Sequence, residues 1–540
     1  MSGSDYRDTV FLPKTHFPMR AGLPKREPLM LDRWAAQGIE ARRTQTAAGR
    51  PRFVLHDGPP YANGHLHMGH VLNKVLKDVV NRARWAQGYD ARYRPGWDCH
   101  GLPIEWKIEE RFRAEGRDKD EVPILDFRRE CREFAAHWIG VQSAEFQRLG
   151  LVGDWNGRYA TMDFAAEAAI VRELHKFALN GALYRGLRPV LWSTAEKTAL
   201  ADAEVEYHDH TSDTIHVRFP IARPSEPALA DTDAVIWTTT PWTMPANRAI
   251  AFGPEVAYAV ARAADGAKLL IAEALLDAAA AAADTTLTIE SRLPGAALAG
   301  TVARHPLADG GYGFDVPLLP GDFVTTEQGT GLVHIAPSHG MDDFELGRAH
   351  GIEPAFTVGE DGRFLEHVPL FAGRTIYDRD GKKGDANAAV IDAMAGAGKL
   401  FARSKLHHSY PHSWRSKAPL IFRATAQWFV SMEANGLRDK ALRSIAETDF
   451  RPESGRRRLQ AMVETRPDWC VSRQRAWGVP IAVFARESDG AVLQDAAVYE
   501  RVAQAFEDEG GDAWWTEDPA RFLGPDHDPA EWLPVRDILD

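Results

Sequence analysis

The sequence predicts an α/β protein in which a parallel-sheet domain is interrupted by a mostly β insertion. Three successive regions of the 540 residues, which differ in their residue patterns, lead to this expectation. Residues 46–197 alternate apolar strand-like runs with long amphipathic helical patterns, which is typical of a parallel sheet. Residues 198–404 consist mainly of short β-rich runs between Gly/Pro turns, and the α/β texture returns over residues 405–540. We therefore expect one discontinuous domain with another inserted into it, preceded by an N-terminal arm and helix in residues 1–45.

Hydrophobic periodicity predicts the individual elements. Apolar residues at positions 71, 72, 75, 76, 79 and 80 recur at helical spacing, and the apolar run Arg52–His56 before them is typical of a buried strand. The same reasoning predicts helices near Met30–Arg42 and over Phe127–Leu149, Phe164–Leu179 and Ala278–Ala283. It predicts strands over Thr214–Phe219, Ala234–Thr239 and Gly331–Ala336.

Composition is that of a globular protein from a reducing compartment. Hydrophobic residues make up 44% and charged residues 26% of the chain, which is ordinary for a folded protein. The three cysteines, Cys99, Cys131 and Cys470, are widely separated and form no C-x-x-C pair, which argues against a disulfide framework. Neither an apolar run of about 18 residues nor a secretion signal is present, so we expect a cytoplasmic protein without a membrane span. A formal net charge of −12 argues against nonspecific coating of nucleic acid, but local basic patches could still contact an RNA.

The most informative segment covers residues 60–70 and reads PYANGHLHMGH. It places a Pro/Asn/Gly turn between the predicted strand and the predicted helix, with two imidazoles three residues apart where the helix starts. A helix N-terminus offers unpaired N–H groups and partial positive charge, which suits phosphate. His67 and His70 lie on one helix face and can donate hydrogen bonds to a phosphate that gains charge. Gly69 lacks a side chain, so a flat base could approach the backbone there.

Two other interpretations of this segment remain open from the residues alone. Its three histidines could bind a metal, although no nearby cysteine completes a zinc set, or they could be surface residues without a role. Pro59 and Pro60 stiffen the entry to the turn under any of these interpretations.

Two further constellations carry charged and aromatic residues. In residues 94–105 a Pro-Gly turn presents Asp98, whose carboxylate could hold an α-ammonium group or could simply cap a helix. In residues 469–480, Arg473 and Arg475 stand beside tryptophans that include Trp477. They could bind phosphate and wall an apolar pocket, or they could belong to an ordinary aromatic core with arginines at its edge.

The predicted insertion contains a fourth constellation. Thr240 and Thr243 lie in a Thr-rich strand end and turn, and far along the chain follow His334 and the pair Asp342-Asp343. Together they could form a small polar pocket in which Asp343 holds an ammonium group while the hydroxyls and the imidazole position water or a ribose hydroxyl. Whether Asp342 or Asp343 faces that pocket is open. Without a Ser-His-Asp order or a metal set, water-mediated hydrolysis is favoured over a covalent nucleophile.

The segment of residues 60–70 and the three constellations, taken together and in this order along the chain, resemble the bacterial isoleucyl branch of the class I aminoacyl-tRNA synthetase family. His-x-Gly-His at a strand-to-helix turn resembles the family's HIGH motif, and Gly-Trp-Asp-Cys-His-Gly-Leu-Pro-Ile-Glu resembles its isoleucine branch. The Thr-rich and His-Ile-Ala-Pro stretches resemble the editing insertion, connective peptide 1, and Arg415–Met432 resembles the return to the catalytic domain. The similarity runs from Pro13 to the end of the chain.

The resemblance implies a Rossmann-like nucleotide-binding catalytic domain and a two-step ligase. Isoleucine would attack the α-phosphate of ATP, supplied with Mg²⁺, and the isoleucyl group would pass to tRNA(Ile). Mischarged valyl-tRNA(Ile) would be hydrolysed in the insertion. A cytoplasmic monomer is expected. The implied roles are phosphate stabilisation by His67 and His70, nucleotide and adenylate binding by Pro60, Tyr61, Asn63 and Gly69, amino-acid binding by Pro59, Asp98 and Trp477, and editing by Thr240, Thr243, His334 and Asp343.

The sequence departs from the family in three ways. The Lys-Met-Ser-Lys-Ser motif, the anticodon-binding domain and the C-terminal zinc region are missing, and Ser413 and Ser416 stand where some relatives have cysteines. No zinc is therefore expected in residues 1–540, and we expect this chain alone to be deficient in synthesis. The alternative is a stand-alone editing hydrolase or a paralogue that has lost synthesis. A nicotinamide dehydrogenase is disfavoured because no G-x-G-x-x-G follows a strand.

Overall fold

The computed structural model describes residues 9–11, 16, 21–516 and 518–539, so most of the predicted arm before residue 21 lies outside the described residues. The chain forms two compact units, Met1–Glu167 and Ala168–Asp540. The helices are α1 Leu23–Ala36, α2 Ile39–Thr46, α3 Met68–Ala86, α4 Leu102–Ala114, α5 Ile124–Arg148, α6 Phe164–Leu179, α7 Leu276–Ala282, α8 Met341–Ala349, α9 Ala386–Gly396, α10 Leu437–Glu447, α11 Ser454–Glu464, α12 Ala496–Glu509, α13 Ala513–Thr516 and α14 Pro519–Leu523.

The strands are β1 Gly96–Trp97, β2 Tyr159–Ala160, β3 Leu183–Ser193, β4 Thr198–Ala199, β5 Val205–Arg223, β6 Thr232–Thr238, β7 Ala249–Phe252, β8 Ala257–Ala263, β9 Lys268–Ala272, β10 Leu287–Pro294, β11 Val302–Arg304, β12 Asp315–Pro320, β13 Leu332–Ile335, β14 Leu400–Ser413, β15 Ile421–Val430, β16 Trp469–Cys470, β17 Ser472–Arg473, β18 Phe484–Arg486, β19 Trp532–Pro534 and β20 Ile538–Leu539. The helices expected over Phe127–Leu149, Phe164–Leu179 and Ala278–Ala283 and the strands expected over Ala234–Thr239 and Gly331–Ala336 are confirmed with small shifts at their ends. The run expected over Thr214–Phe219 is strand, but it is only the middle of the much longer β5.

The first unit has little regular sheet. Strands β1 and β2 pair in parallel, and isolated parallel bridges join Arg52 to Asp90 and Tyr61 to Asp98. The prediction of a buried strand over Arg52–His56 is wrong, since this segment has only the bridge at its start and Val54 is 73% exposed. Pro59 and Pro60, which follow, lack the N–H groups that would extend such a ladder.

The single helix expected near Met30–Arg42 is also wrong, because two helices cover this region. Helix α1 ends at Ala36 and α2 begins at Ile39. Gly38 lies between them with a φ of 59°, a left-handed conformation that glycine adopts without a steric penalty. Apolar periodicity does not register such a break, because both helices keep the same spacing.

The helix predicted after residue 67 is confirmed as α3, but its apolar positions are not its buried ones. Leu72 is 64% exposed and Leu76 is 57% exposed, whereas Lys74 and Asn81 are buried. The apolar period therefore predicted the helix correctly. Which face of α3 is buried depends instead on the polar groups that pair with Lys74, described below.

The second unit contains a ten-stranded mixed sheet in the order β10-β8-β9-β6-β13-β7-β12-β11-β5-β14. An additional antiparallel pairing of β5 with β6 closes β6, β13, β7, β12, β11 and β5 into a barrel. Apolar side chains such as Ile215, Phe219 and Phe252 fill its core. The insertion predicted from short β-rich runs is thus a barrel with flanking strands.

A second sheet in this unit joins strands that precede the barrel in the sequence to strands that follow it. Its order is β16-β15-β3-β4, and β15 pairs with β3 in antiparallel register over the whole of its length. Helices α6 and α12 contribute to a separate hydrophobic cluster around Phe484 and Trp514. Along the described part of the chain, no helix combines the length and the apolar character needed to cross a membrane.

Candidate functional site

The paired histidines lie at the start of α3 and face each other. His67 is the N-cap residue, and its Nδ1 accepts from the Gly69 N–H at 3.1 Å, while His70 Nδ1 accepts from the His67 N–H at 3.3 Å. The two rings stack with centroids 3.8 Å apart at 26°. Because each Nδ1 is an acceptor, each neutral ring carries its proton on Nε2. The helix end therefore presents two imidazole N–H donors.

The environment keeps His70 neutral. Burial lowers its pKa below the usual 6.5, and the nearby charges of His67 and Lys74 lower it further. Two imidazole N–H donors at a helix N-terminus can stabilise charge that develops on a phosphate.

Gly69 has a local structural role. A Cβ placed there would lie 2.9 Å from His67 Cε1 and 3.0 Å from His67 Nδ1. The absence of a side chain thus makes room for the imidazole that caps the helix, in addition to the role in base binding expected from the sequence.

The loop before α3 runs beside Asp98. The Asp98 N–H donates to Pro60 O at 2.9 Å, and the Ala62 N–H donates to Asp98 O at 3.0 Å. Asn63 Nδ2 reaches Pro103 O at 3.3 Å. Pro60 is buried, and Pro59, Tyr61 and Asn63 are half-buried. The structure thus brings the predicted nucleotide residues next to the predicted ammonium-binding carboxylate.

Asp98 is not a helix cap in this structure. The N-cap of α4 is Gly101, and the Asp98 carboxylate is half-buried and accepts weakly from the His100 N–H at 3.4 Å. Burial raises the pKa of Asp98, and the neighbouring His100 opposes that effect. A half-buried carboxylate of this kind gains from binding a cation.

A buried polar cluster beneath the loop was not predicted. The Asp57 carboxylate accepts from Lys74, from Lys77 and from Tyr93 Oη, the last at 2.6 Å. Asp57 and Lys74 are only 3% and 4% exposed. The sequence signal was weak, since a lysine within an otherwise apolar helical stripe usually points to solvent.

Trp477 and the arginines near it lie in the second unit. Trp477 is completely buried. Arg473 pairs with Glu204 at 3.2 Å and Arg475 with Glu196 at 3.7 Å. These pairings favour the structural interpretation of the two arginines over phosphate binding.

In the barrel, Thr243 and His334 are joined in a hydrogen-bonded chain. Asn247 Nδ2 donates to His334 Nδ1 at 2.8 Å and to Ala249 O at 2.9 Å, so His334 carries its proton on Nε2. That Nε2–H donates to Thr243 Oγ1 at 2.9 Å, and the Thr243 hydroxyl donates to Thr240 O at 2.8 Å. Burial, with the charges of nearby histidines, lowers the pKa of His334 to about 3. The sequence gives no sign of this role for Asn247, because its partner lies 87 residues away.

A cavity of about 280 Å³ opens beside this chain and is lined by residues that include Thr238, Thr240, Gly329 and His334. Thr243 lies one hydrogen bond from it. The structure therefore brings together three of the four predicted editing residues around one small polar space.

The fourth, Asp343, lies in the first turn of α8. Its carboxylate accepts from the Ala336 N–H at 2.8 Å, two residues after His334. Burial raises the pKa of Asp343 to about 7, and this backbone hydrogen bond offsets part of the effect. Asp342 is exposed and Asp343 is half-buried, so Asp343 is the better placed of the pair.

Among residues 9–11, 16, 21–516 and 518–539, no group of three or more His, Cys, Asp or Glu side chains is arranged to hold a metal ion. Ser413 Oγ donates to Glu196 Oε1 at 2.6 Å, so this hydroxyl already has a carboxylate partner.

The class of protein follows from comparison with known families. The model of the tRNA synthetases class I (I, L, M and V) matches residues 29–540, so the chain belongs to that family and has its α/β fold. The isoleucine--tRNA ligases of Gluconobacter oxydans and Caulobacter vibrioides are 55% and 53% identical over 99% of this chain. The chain spans 58% of the length of each of these curated relatives. A LeuRS chain of Agrobacterium radiobacter K84 in a complex with tRNA and LeuAMS has 16% identity and a TM-score of 0.37, with 96% of this chain and 58% of that chain covered, a likeness too low to support any argument.

Proposed function

We propose that the chain carries the synthetic and editing sites of an isoleucine–tRNA ligase. The observation that carries this proposal is the pair of imidazoles at the start of α3, where backbone N–H groups donate to both Nδ1 atoms and leave Nε2 to donate. Residue types, spacing and geometry agree with the family match and with the relatives' names.

In this proposal isoleucine's carboxylate attacks the α-phosphate of ATP, which arrives as its Mg²⁺ complex, and pyrophosphate leaves. His67 and His70 donate hydrogen bonds to the phosphate as its charge grows. Pro60, Tyr61, Asn63 and Gly69 shape the nucleotide site. Asp98 holds the ammonium group of the amino acid, and Pro59 contributes to the amino-acid pocket.

The isoleucyl group then passes to a ribose hydroxyl of tRNA(Ile). Valine lacks one methylene, a difference worth only about 1–3 kcal/mol in binding, a figure long known from this class of enzymes rather than worked out from this chain. The barrel cavity supplies the second discrimination. There Asp343 holds the valyl ammonium, Thr240 and Thr243 position the attacking water, and His334 holds the Thr243 hydroxyl in place. The working enzyme is a cytoplasmic monomer in this proposal, and zinc has no part in residues 1–540.

The synthetic site is tested by binding and by exchange. Calorimetry should show the chain binding a non-hydrolysable isoleucyl-adenylate analogue, with a loss of about 100-fold in affinity or more for His70→Ala. The exposed His137→Ala on α5 is the matched control and should bind as the parent does. Absence of analogue binding by the parent chain contradicts the synthetic assignment.

A second measurement separates the alternatives. We expect ATP–pyrophosphate exchange with isoleucine to be deficient in this chain, and near-full exchange would contradict that expectation. Release of valine from valyl-tRNA(Ile) with no analogue binding would favour the second candidate function, a stand-alone editing hydrolase, for which the barrel cavity is the supporting observation.

A further inference from the structure

Helix α5 presents two polar side chains to the loop that leads into α3. Gln142 and Glu145 lie three residues apart and therefore on one face of the helix. Both contact the loop through hydrogen bonds to its backbone. Sequence patterning gave no indication of this, since it treats α5 only as an amphipathic helix.

Gln142 uses its whole amide group in this contact. Its Nε2 donates to Tyr61 O at 2.9 Å and to Gly64 O at 2.7 Å, and its Oε1 accepts from Trp97 Nε1 at 3.0 Å. The residue is only 1% exposed. One side chain thus joins the nucleotide loop to the residue that immediately precedes Asp98.

Glu145 holds the end of the same loop. Its Oε2 accepts from the Leu66 N–H at 3.0 Å, and its Oε1 accepts from His65 Nδ1 at 2.6 Å. Leu66 immediately precedes the N-cap His67. Partial burial would raise the pKa of Glu145, but these two hydrogen bonds hold it below the usual value, so the group is a carboxylate at neutral pH.

Other hydrogen bonds also hold this loop, including those from Asn63 Nδ2 to Pro103 O at 3.3 Å and from the Asp98 N–H to Pro60 O at 2.9 Å. Its backbone is also held at Ala62 by Asp98, and at the start of α3 by the cap itself. If the loop backbone shifted between Ala62 and the start of α3, the imidazole donors would move relative to the Asp98 carboxylate. Misplacement of reacting groups by about 1 Å costs rate even when every contacting residue is present.

We propose that Gln142 and Glu145 are positioning residues that fix the loop of residues 60–67 and thereby set the distance between the His67/His70 donors and the Asp98 carboxylate. This inference rests on the proposed synthetic function. Neither side chain is assigned a contact with substrate.

The experiment pairs two substitutions with a conservative variant and matched controls. Gln142→Glu keeps the shape but loses both donors to Tyr61 and Gly64, and Glu145→Ala loses both acceptors. Glu145→Gln retains an oxygen for Leu66 and an N–H for His65, so it should restore function. Gln147→Glu and Glu133→Ala change exposed residues of the same helix.

The readouts are the affinity for the isoleucyl-adenylate analogue, valyl-tRNA hydrolysis and the melting temperature. We expect Gln142→Glu and Glu145→Ala to weaken analogue binding about tenfold to 100-fold. Glu145→Gln and both controls should stay within about threefold of the parent. Hydrolysis of valyl-tRNA, which uses the barrel, should be unchanged in every variant.

Two results overturn the inference while leaving the proposed function intact. One is unchanged analogue affinity in Glu145→Ala, even with a lowered melting temperature, since that pattern means a purely structural residue. The other is equal loss in Glu145→Gln and Glu145→Ala, which denies the hydrogen bonds a role. Failure of the parent chain to bind the analogue instead contradicts the proposed function.

Discussion

Replacing Asp57 by Asn should destabilise the start of α3, because it removes the negative charge from a buried cluster. The carboxylate of Asp57 accepts from the ammonium groups of Lys74 and Lys77 and from the Tyr93 hydroxyl. The side chains of Asp57 and Lys74 are 2% and 4% exposed, whereas that of Lys77 is 21% exposed. Lys74 therefore depends on Asp57 far more than Lys77 does.

The magnitude follows from this burial. Breaking a buried ion pair by removing one partner costs about 3–5 kcal/mol, because the remaining charge is left uncompensated. In Asp57→Asn that charge is Lys74, whose pKa burial already lowers against the opposing effect of Asp57. The double variant Asp57→Asn/Lys74→Met removes the stranded charge and should regain at least about 2 kcal/mol relative to Asp57→Asn.

The pH dependence of stability provides an independent check that the negative charge of Asp57 stabilises the folded state. Burial alone would raise the pKa of Asp57, but the hydrogen bonds from Lys74, Lys77 and Tyr93 hold it below its usual 3.8. The stabilisation is thus complete above the unfolded-state pKa and is lost as the pH falls through the lower folded-state value. The difference between Asp57→Asn and the parent should accordingly be constant near neutral pH and shrink in strong acid, below about pH 4.

Native-state hydrogen exchange of peptides from α3 is the appropriate assay, since a chain with two compact units need not unfold in one step. The control is Glu110→Gln, which breaks an exposed pair with Lys107 and should change stability by no more than about 1 kcal/mol. If Asp57→Asn costs no more than this control, or if its effect and that of Lys74→Met are additive, the cluster does not stabilise the helix as argued.

Three other outcomes are expected. Thr243→Val should lower the stability of the barrel by about 1–3 kcal/mol in urea unfolding, because it leaves the buried His334 N–H without an acceptor, whereas Thr243→Ser should be near the parent. The rate of valyl-tRNA hydrolysis at low substrate concentration should rise with pH with its midpoint near 7, because the pKa of Asp343 is about 7 and only its carboxylate binds ammonium; a flat profile would contradict this. Gly69→Ala should weaken adenylate-analogue binding because its Cβ meets the His67 ring, and it should leave the melting temperature unchanged or lowered, since loss of the His67 cap offsets the helix preference of alanine; unchanged binding would show that the ring can move without consequence.

The sequence was sufficient where function depends on residues close together in the chain. His67, Gly69 and His70 lie within four positions, so helical spacing alone predicted that the imidazoles would share the start of α3. The alternation of textures likewise predicted the interruption of the α/β domain by β structure. Thr240 and Thr243 share a short turn, and hydrogen bonding confirms that they lie together.

The sequence was insufficient where a polar group finds its partner far away. Lys74 is buried in α3 while the apolar Leu76 is exposed, because Asp57 and Tyr93 receive its ammonium group. The contact from Gln142 to Tyr61 joins residues 81 positions apart. Periodicity reports which residues share a face, but it does not report which charge or amide meets that face. For the same reason the apolar run Arg52–His56 predicts a strand, although the segment pairs with a neighbouring segment only through the bridge at Arg52.

The histidines of the two candidate sites are held in one and the same way, and this limits the chemistry available to them. At the start of α3 the backbone donates to both Nδ1 atoms, and in the barrel Asn247 donates to Nδ1 of His334. Each ring is thereby fixed with its proton on Nε2, and burial lowers the pKa of both His70 and His334. A neutral ring whose Nδ1 is already occupied donates through Nε2 and has no free nitrogen with which to remove a proton. Under the proposed function, these histidines therefore act by stabilising charge and orienting groups rather than as general bases.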